Sequence, residues 1–182
     1  MAEESRGDSV VGPIVVGVDG SAFSRAALRW AILEGRRWAC PVIALMAWHV
    51  DPMIARSRPV VTGVPIHPNM SQEGVFRRFL DDTVRTVVRD AGGPAPSLAL
   101  MSGLAADCLV EASDSARLLV LGSHGHGRFA GMVIGSVADH CVRNAACPVV
   151  VIPARFVDAL PKRHPVLVPA ALLPDRYGLG PL

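Results

Sequence analysis

Residues 118–152 read LLVLGSHGHGRFAGMVIGSVADHCVRNAACPVVVI, and this stretch decides the fold. A short apolar run at 118–121 ends abruptly in glycines, and apolar residues at helical spacing follow over 133–145. Pro148 then introduces a β-branched run, Val149–Ile152. A strand, a helix and a second strand in this order predict one unit of a parallel sheet. The helix is expected to turn these residues inward: Ile134, Ala138, Cys141, Val142 and Ala145.

The same alternation extends toward the start of the chain. Three more strands are predicted, at 14–18, 42–48 and 97–101. Three more helices are predicted: one that follows an N-cap at Ser21, then 71–91 and 105–115. The expected inward residues are Ala27, Trp30, Ala31 and Trp38 in the first helix, Phe76, Leu80, Thr83, Val87 and Ala91 in the second, and Leu109 and Ala112 in the third. The fold class is therefore α/β: a single doubly wound, five-stranded parallel sheet with helices on both faces, in a Rossmann-like arrangement.

Proline marks the segments that cannot continue this pattern. Residues 51–68 contain four prolines and are expected to form a long loop, a kind of segment that often covers a site. Residues 154–182 contain five prolines and are expected to form an extended, mobile tail. The predicted organisation is a flexible start at 1–12, one domain at 13–153 and a Pro-rich tail at 154–182.

Composition excludes several classes of partner. The 182 residues carry 18 basic and 16 acidic side chains, a formal charge of +2, which gives no electrostatic basis for binding nucleic acid or an anionic membrane. The four cysteines lack CxxC spacing and are expected to be reduced, buried thiols. The opening MAEESRGDS lacks the basic start and apolar run of a secretory signal, and no apolar run approaches the roughly 20 residues of a membrane helix. A cytoplasmic protein without a membrane partner is expected.

The glycines after the fourth strand are the candidate for chemistry. Their spacing is Gly122-x2-Gly125-x9-Gly135-Ser136, between a buried strand and a helix. Glycine permits sharp turns and lets main-chain N–H groups approach an anion, and the following helix presents its positive end. The loop is expected to hold an anion, a phosphate chain above all, unless it is only a Gly-rich surface connection. It lacks the lysine of a P-loop and does not follow the first strand, so the Rossmann fingerprint does not apply either.

This spacing resembles the nucleotide-binding motif of the universal stress protein family. Residues 122–153 look like the C-terminal block of that family, 14–31 resemble its opening strand, turn and helix, and 103–125 resemble its third helix and fourth strand. The resemblance covers roughly residues 13–153 and implies an adenine nucleotide alpha hydrolase-like fold that binds ATP.

Residue by residue, the resemblance implies that ATP lies against the loop and the next helix, at Gly122, Ser123, His124, Gly125, His126, Gly127, Arg128, Gly135, Ser136 and Val137. Gly17 and Asp19, at the end of the first strand, would lie beside the nucleotide. Asp19 can bond ribose hydroxyls or share a Mg²⁺ or Mn²⁺ ion; the alternative is a hydrogen bond to the turn before the first helix. Ala47 and His49 are candidates to flank adenine.

Two histidines depart from the family pattern, since positions 124 and 126 are often Arg in it. His124 and His126 carry less charge at neutral pH, so weaker phosphate affinity or pH-sensitive binding is expected. The His-x-His pair is also a candidate for a metal, but it lacks a placed third ligand. His140 is expected at the surface of the last helix.

The expected function is a nucleotide-binding regulatory protein that changes conformation or protein partner with ATP. No activated nucleophile or general base other than Asp19 is evident near the loop, so hydrolysis should be slow. The alternatives are a hydrolase or adenylyl transferase on a related fold, or an interaction protein that has lost nucleotide, which the intact glycine spacing disfavours. The family resemblance implies a homodimer through the edge strand Val149–Ile152, whereas a tail folded over that edge at 166–168 would keep the chain monomeric.

Overall fold

The computed structural model describes residues 12–48, 71–125, 134–153 and 156. Five strands and four helices alternate within these residues: β1 Ile14–Gly17, α1 Ala22–Arg37, β2 Val42–Trp48, α2 Gln72–Ala91, β3 Ser97–Ser102, α3 Ala105–Ser113, β4 Leu118–Gly122, α4 Ser136–Asn144 and β5 Val149–Ile152. The predicted loop at 51–68 and almost all of the predicted tail lie outside the described residues. None of the helices described is long and apolar enough to cross a membrane.

The five strands form one parallel sheet in the order β3-β2-β1-β4-β5. The chain therefore builds outward from β1 in one direction and from β4 in the other. The connection after β1 leaves toward one face of the sheet, and the connection after β4 leaves toward the other. A crevice therefore opens between the carboxyl ends of these two strands. The doubly wound parallel sheet that the sequence predicts is confirmed.

Two apolar cores cover the faces of the sheet. On one face Ile14 and Val16 of β1 pack with residues of α1 and α2, among them Leu28 and Leu80. On the other face Val15 packs with residues of α3 and α4. Side chains alternate in this way because successive residues of a strand point to opposite faces. Each fully buried leucine stabilises the fold by roughly 1.5–3 kcal/mol.

Serine side chains begin the two long helices. The Ser21 Oγ accepts a hydrogen bond from the Ser24 N–H at 3.1 Å, which confirms Ser21 as the N-cap of α1. Ser71 caps α2 in the same way through the Gly74 N–H, also at 3.1 Å. Each cap satisfies a helical N–H that has no carbonyl partner in the first turn.

Helix α1 ends in a tight turn. Ala39 has a φ of 49°, in the left-handed region, and the Cys40 N–H donates to the Gly35 carbonyl at 2.8 Å. Trp38 was expected to face the core but is 44% exposed, because the helix has ended and the ring lies 5.5 Å from the Arg117 guanidinium.

Two predicted helix boundaries differ from the structure by more than one residue. Helix α3 ends at Ser113 instead of residue 115. At this end the Ser113 hydroxyl donates to the Val110 carbonyl at 2.6 Å and accepts a hydrogen bond from the Ala146 N–H at 2.8 Å. Helix α4 begins at Ser136 instead of residue 133, because the Gly135 N–H donates to the Ser123 carbonyl at 2.7 Å and holds this position in the loop.

Helix α4 buries fewer of its apolar residues than the sequence predicts. Ala138 and Cys141 are buried as expected, but Ile134 precedes the helix and is 37% exposed. Val142 is 54% exposed on the outer side of the helix. The apolar stripe of α4 is therefore narrower than its sequence suggests.

All four cysteines are free thiols, of which Cys108 and Cys141 are buried and Cys40 and Cys147 are half-buried. Burial raises the pKa of the Cys141 thiol to about 11. Desolvation likewise raises the pKa of Cys108 and of Cys147. Because the thiolate is the reactive form, the raised pKa lowers the reactivity of Cys108, Cys141 and Cys147 near neutral pH.

Candidate functional site

A cavity of about 350 Å³ opens at the carboxyl ends of β1 and β4, where the strand order reverses. Its volume lies in the usual range of small-molecule sites. The described residues that line it are Gly17, Val18, Asp19, Ser24, Leu45, Ala47, Ala105, Leu109, Leu121, Gly122, His124, Gly125, Gly135, Ser136, Val137 and Ala138.

Glycines in the wall of the cavity stand where the chain passes close to other groups. A Cβ on Gly17 would lie 2.8 Å from Leu121 Cδ2, and one on Gly122 would lie 2.8 Å from Phe23 Cβ. Real Cβ atoms essentially never make such contacts. A side chain at Gly122 would therefore push the end of β4 away from α1, and one at Gly17 would require the Leu121 side chain to move.

The motif glycines do not serve the turn geometry that was expected of them. Gly122, Gly125 and Gly135 are absent from the described glycines with positive φ. A Cβ on Gly135 would lie 3.3 Å from the Ser123 carbonyl oxygen, and one on Gly125 would lie 2.7 Å from Asp19 Oδ2. Space beside the backbone, rather than an unusual φ, explains the need for glycine at these positions.

Asp19 lies between the first turn and the glycine loop. Its Oδ1 accepts a hydrogen bond from the Ser21 N–H at 2.9 Å, which is the turn-forming role that the sequence left open. Its Oδ2 lies beside Gly125 in the lining of the cavity. The carboxylate thus stabilises the start of α1 and also faces the space where a ligand would lie.

The start of α4 supplies the positive end of the cavity. Gly135 is the N-cap residue, and no side chain within the described part of the chain hydrogen-bonds to this cap. Ser136, Val137 and Ala138 of the first turn line the cavity. The N–H groups of a first helical turn have no carbonyl partner within the helix, and together with the helix dipole they favour an anion.

His124 lines the cavity at a partly buried position. Its ring centroid lies 5.5 Å from that of Phe23, and its Nδ1 is 3.0 Å from the Ser123 Oγ. Ser123 itself is buried and does not line the cavity. The expected site residues His126, Gly127 and Arg128, together with His49, lie outside the described residues.

The apolar part of the cavity was mostly missed by sequence reasoning. Ala47 was a candidate, but Leu45 from β2 and Ala105 and Leu109 from α3 were not. Such side chains carry no chemical signal, and only the strand order brings them to this edge. Asp19 and His124 are the ionisable side chains among the described lining residues. The arrangement can hold an apolar group at one side and an anion at the other.

Comparison with known proteins identifies the family. The model of the universal stress protein family matches residues 11–153. The chain belongs to the universal stress protein family. The resemblance first seen in the glycine spacing is thereby confirmed.

Curated relatives extend the match over most of this universal stress protein. The universal stress protein Rv2623 of Mycobacterium tuberculosis is 34% identical over 170 residues, which cover 90% of this chain and 55% of that protein. The universal stress protein Mb2028c of Mycobacterium bovis is 33% identical over 162 residues, covering 85% of this chain and 52% of that protein. The chain thus spans about half the length of the curated relatives it matches.

Solved structures share its fold. A universal stress protein in complex with cAMP superposes with a TM-score of 0.57 at 22% identity, covering 79% of this chain and 98% of that one. The universal stress protein from Archaeoglobus fulgidus in complex with dAMP superposes with a TM-score of 0.53 at 23% identity, again covering 79% and 98%. At these identities the likeness establishes the fold.

Proposed function

We propose that this universal stress protein binds an adenine nucleotide, ATP above others, in the cavity between β1 and β4, and acts as a regulatory module with little or no ATP hydrolysis. The observation that carries the proposal is the start of α4, whose cap is Gly135 and whose first turn lies open to the cavity beside Gly125. A phosphate chain is the ligand that such a helix start and glycine loop accommodate best.

The phosphates would lie between Gly125 and the first turn of α4. Because Gly125 has no side chain, the loop lies close to the Asp19 carboxylate, and Gly125 lines the cavity with its main chain. The Ser136 hydroxyl adds a donor, and His124 adds a positive charge when it is protonated. The loop residues Ser123, His126, Gly127 and Arg128 belong to the same proposed site by the family motif.

The sugar and base would occupy the rest of the cavity. Asp19, beside Gly17 at the end of β1, would accept hydrogen bonds from ribose hydroxyls or share a Mg²⁺ or Mn²⁺ ion with the phosphates. Ala47, Leu45 and Leu109 offer an apolar surface to a planar base. The related structures in complex with cAMP and dAMP support adenine as that base.

Little hydrolysis is expected because the cavity offers few groups for catalysis. Fast phosphoryl transfer needs groups that position the nucleophile and neutralise charge in the transition state. Among the described lining residues only Asp19 and His124 are ionisable. Binding followed by a change of conformation or protein partner in the cytoplasm is the proposed output.

The first experiment identifies nucleotide that co-purifies with the protein, by mass spectrometry of the denatured supernatant. Calorimetric titration of the nucleotide-free protein with ATP and Mg²⁺ follows, with GTP as the matched control, and chromatography measures ADP and AMP over hours. Saturable ATP binding with negligible product is the expected result. Absence of ATP binding would contradict the proposal, and repeated turnover would favour a hydrolase or an adenylyl transferase.

We also propose a homodimer through β5. This strand, Val149–Ile152, lies at an edge of the sheet, and its three valines are half-buried. An edge strand offers unpaired N–H and C=O groups, and two copies can pair antiparallel about a two-fold axis. We propose that residues 13–153 form the nucleotide-binding unit, between two flanking segments at 1–12 and 154–182. Sedimentation should show dimers both for the full chain and for a chain that ends at residue 154. A monomeric full chain together with a dimeric shortened chain would show instead that the tail covers β5.

A further inference from the structure

The turn that carries Asp19 is held from outside the cavity by an aromatic ring of α2. Gly20 follows Asp19 with a φ of 81°, a conformation that side chains other than glycine rarely adopt. A Cβ on Gly20 would lie 2.6 Å from Phe79 Cε1 and closer still to Cζ. The tip of the Phe79 ring therefore occupies the space beside the Gly20 backbone.

Hydrogen bonds hold the other side of this turn. The Ser21 N–H donates to Asp19 Oδ1 at 2.9 Å, and the Arg25 guanidinium donates to the Gly20 carbonyl. Neither bond restrains Gly20 on the face where it lacks a side chain. The three atoms nearest to a Cβ placed on that face all belong to the Phe79 ring.

A peptide next to glycine rotates easily, because no Cβ limits its dihedral angles. Rotation at Gly20 would turn the preceding peptide and move the Asp19 carboxylate away from Gly125. The ring of Phe79 packs against the Cβ side of Gly20 and so opposes movement of this backbone toward α2. Phe79 of α2 therefore contacts Gly20, and Gly20 is bonded to Asp19 in the wall of the cavity.

We propose that Phe79 is a positioning residue of the nucleotide site, which acts through Gly20 to hold Asp19 against the glycine loop. The expected effect of Phe79 on ATP affinity rests on the proposed function, whereas its expected effect on the turn does not. It makes the packing of α2 a determinant of nucleotide affinity, although Phe79 does not line the cavity.

Helix α2 offers a matched control. Phe76 lies one turn before Phe79 and is also partly buried against the same core, but its ring contacts Trp48, at 5.9 Å between centroids. Leucine at either position keeps the inner part of the side chain and removes the ring tip. Phe79→Leu and Phe76→Leu should therefore lose similar stability, whereas only Phe79→Leu removes the atoms that touch Gly20.

The experiment has one measurement that needs no ligand and one that does. Amide hydrogen exchange at Ser21 reports its bond to Asp19, and exchange should become several-fold faster in Phe79→Leu and stay unchanged in Phe76→Leu. Calorimetric titration with ATP and Mg²⁺ should show about fivefold weaker binding in Phe79→Leu, or about 1 kcal/mol, and no change in Phe76→Leu. In an Asp19→Ala background, Phe79→Leu should have no further effect on ATP affinity.

The outcomes separate the two proposals. If the native protein does not bind ATP, the proposed function fails, and Ser21 exchange alone decides whether Phe79 holds the turn. Unchanged Ser21 exchange in Phe79→Leu, equal acceleration in both variants, or additive effects of Phe79→Leu and Asp19→Ala on ATP affinity would each overturn the positioning role.

Discussion

Gly125 lies against the Asp19 carboxylate, and a side chain at this position should weaken ATP binding. In Gly125→Ala the new Cβ would lie 2.7 Å from Asp19 Oδ2, where ordinary contacts begin at 3.4 Å. Either the carboxylate or the loop must therefore move by about 0.7 Å. Gly125→Val adds two methyl groups to this conflict and places them near the proposed path of the phosphates.

The structure also sets the size of the effect. A shift of 0.7 Å takes a hydrogen bond of about 2.9 Å out of range, and a bond to a charged group contributes about 1.5–3 kcal/mol. Loss of one such bond to the ligand corresponds to at least tenfold weaker ATP binding, or about 1.4 kcal/mol. Because Gly125 lacks a positive φ, alanine should be tolerated by the backbone itself, with a loss of stability of about 1 kcal/mol or less.

Calorimetric titration with ATP and Mg²⁺ measures the affinity, and urea denaturation measures the stability of the same samples. Gly74→Ala is the control, since Gly74 lies in the first turn of α2 and does not line the cavity. This control should keep native ATP affinity, because Gly74 does not line the cavity. An unchanged ATP dissociation constant in Gly125→Val would refute the reasoning.

Three further predictions concern pH and stability. A bound phosphate favours protonated imidazole, so ATP should bind more tightly as the pH falls from about 8 to about 6. Replacing His124 and His126 with Arg should raise the ATP affinity and make it less dependent on pH. A pH-independent dissociation constant in the native protein would show that the histidines are not in the site. Ala39→Gly should raise the free energy of unfolding by about 0.5–1 kcal/mol, because Ala39 is in the left-handed region. A lower free energy of unfolding in urea denaturation would contradict this. Ser113→Ala should destabilise by about 1–3 kcal/mol, because the Ala146 N–H loses its partner, and thermal unfolding at the native temperature would count against it.

The strands could be predicted because each is a short apolar run with a clear stop. Strand β2 has the predicted bounds, and β5 lies between Pro148 and Pro153 as expected. Helix ends were harder, because tertiary hydrogen bonds decide them. The bond from the Gly135 N–H to the Ser123 carbonyl delays α4, and nothing in the local pattern of 133–135 indicates it.

The candidate site was predictable where residue type and spacing carry a chemical meaning. The glycine spacing pointed to Gly122, Gly125 and Gly135, and the end of β1 pointed to Asp19. The turn geometry that the sequence predicts for these glycines is not observed, and the distances that exclude a Cβ exist only in the folded chain. The contact between Phe79 and Gly20 belongs to the same class, because two segments far apart in sequence create it.

The position of a bound nucleotide tests the account most directly. Titration of the isotope-labelled protein with ATP and Mg²⁺, followed by amide chemical shifts, reports which main-chain groups meet the ligand. The largest changes are expected at Gly125, Ser136 and Val137, in the glycine loop and the first turn of α4. Unchanged shifts at these three amides under saturating ATP would contradict the assignment of this cavity as the nucleotide site.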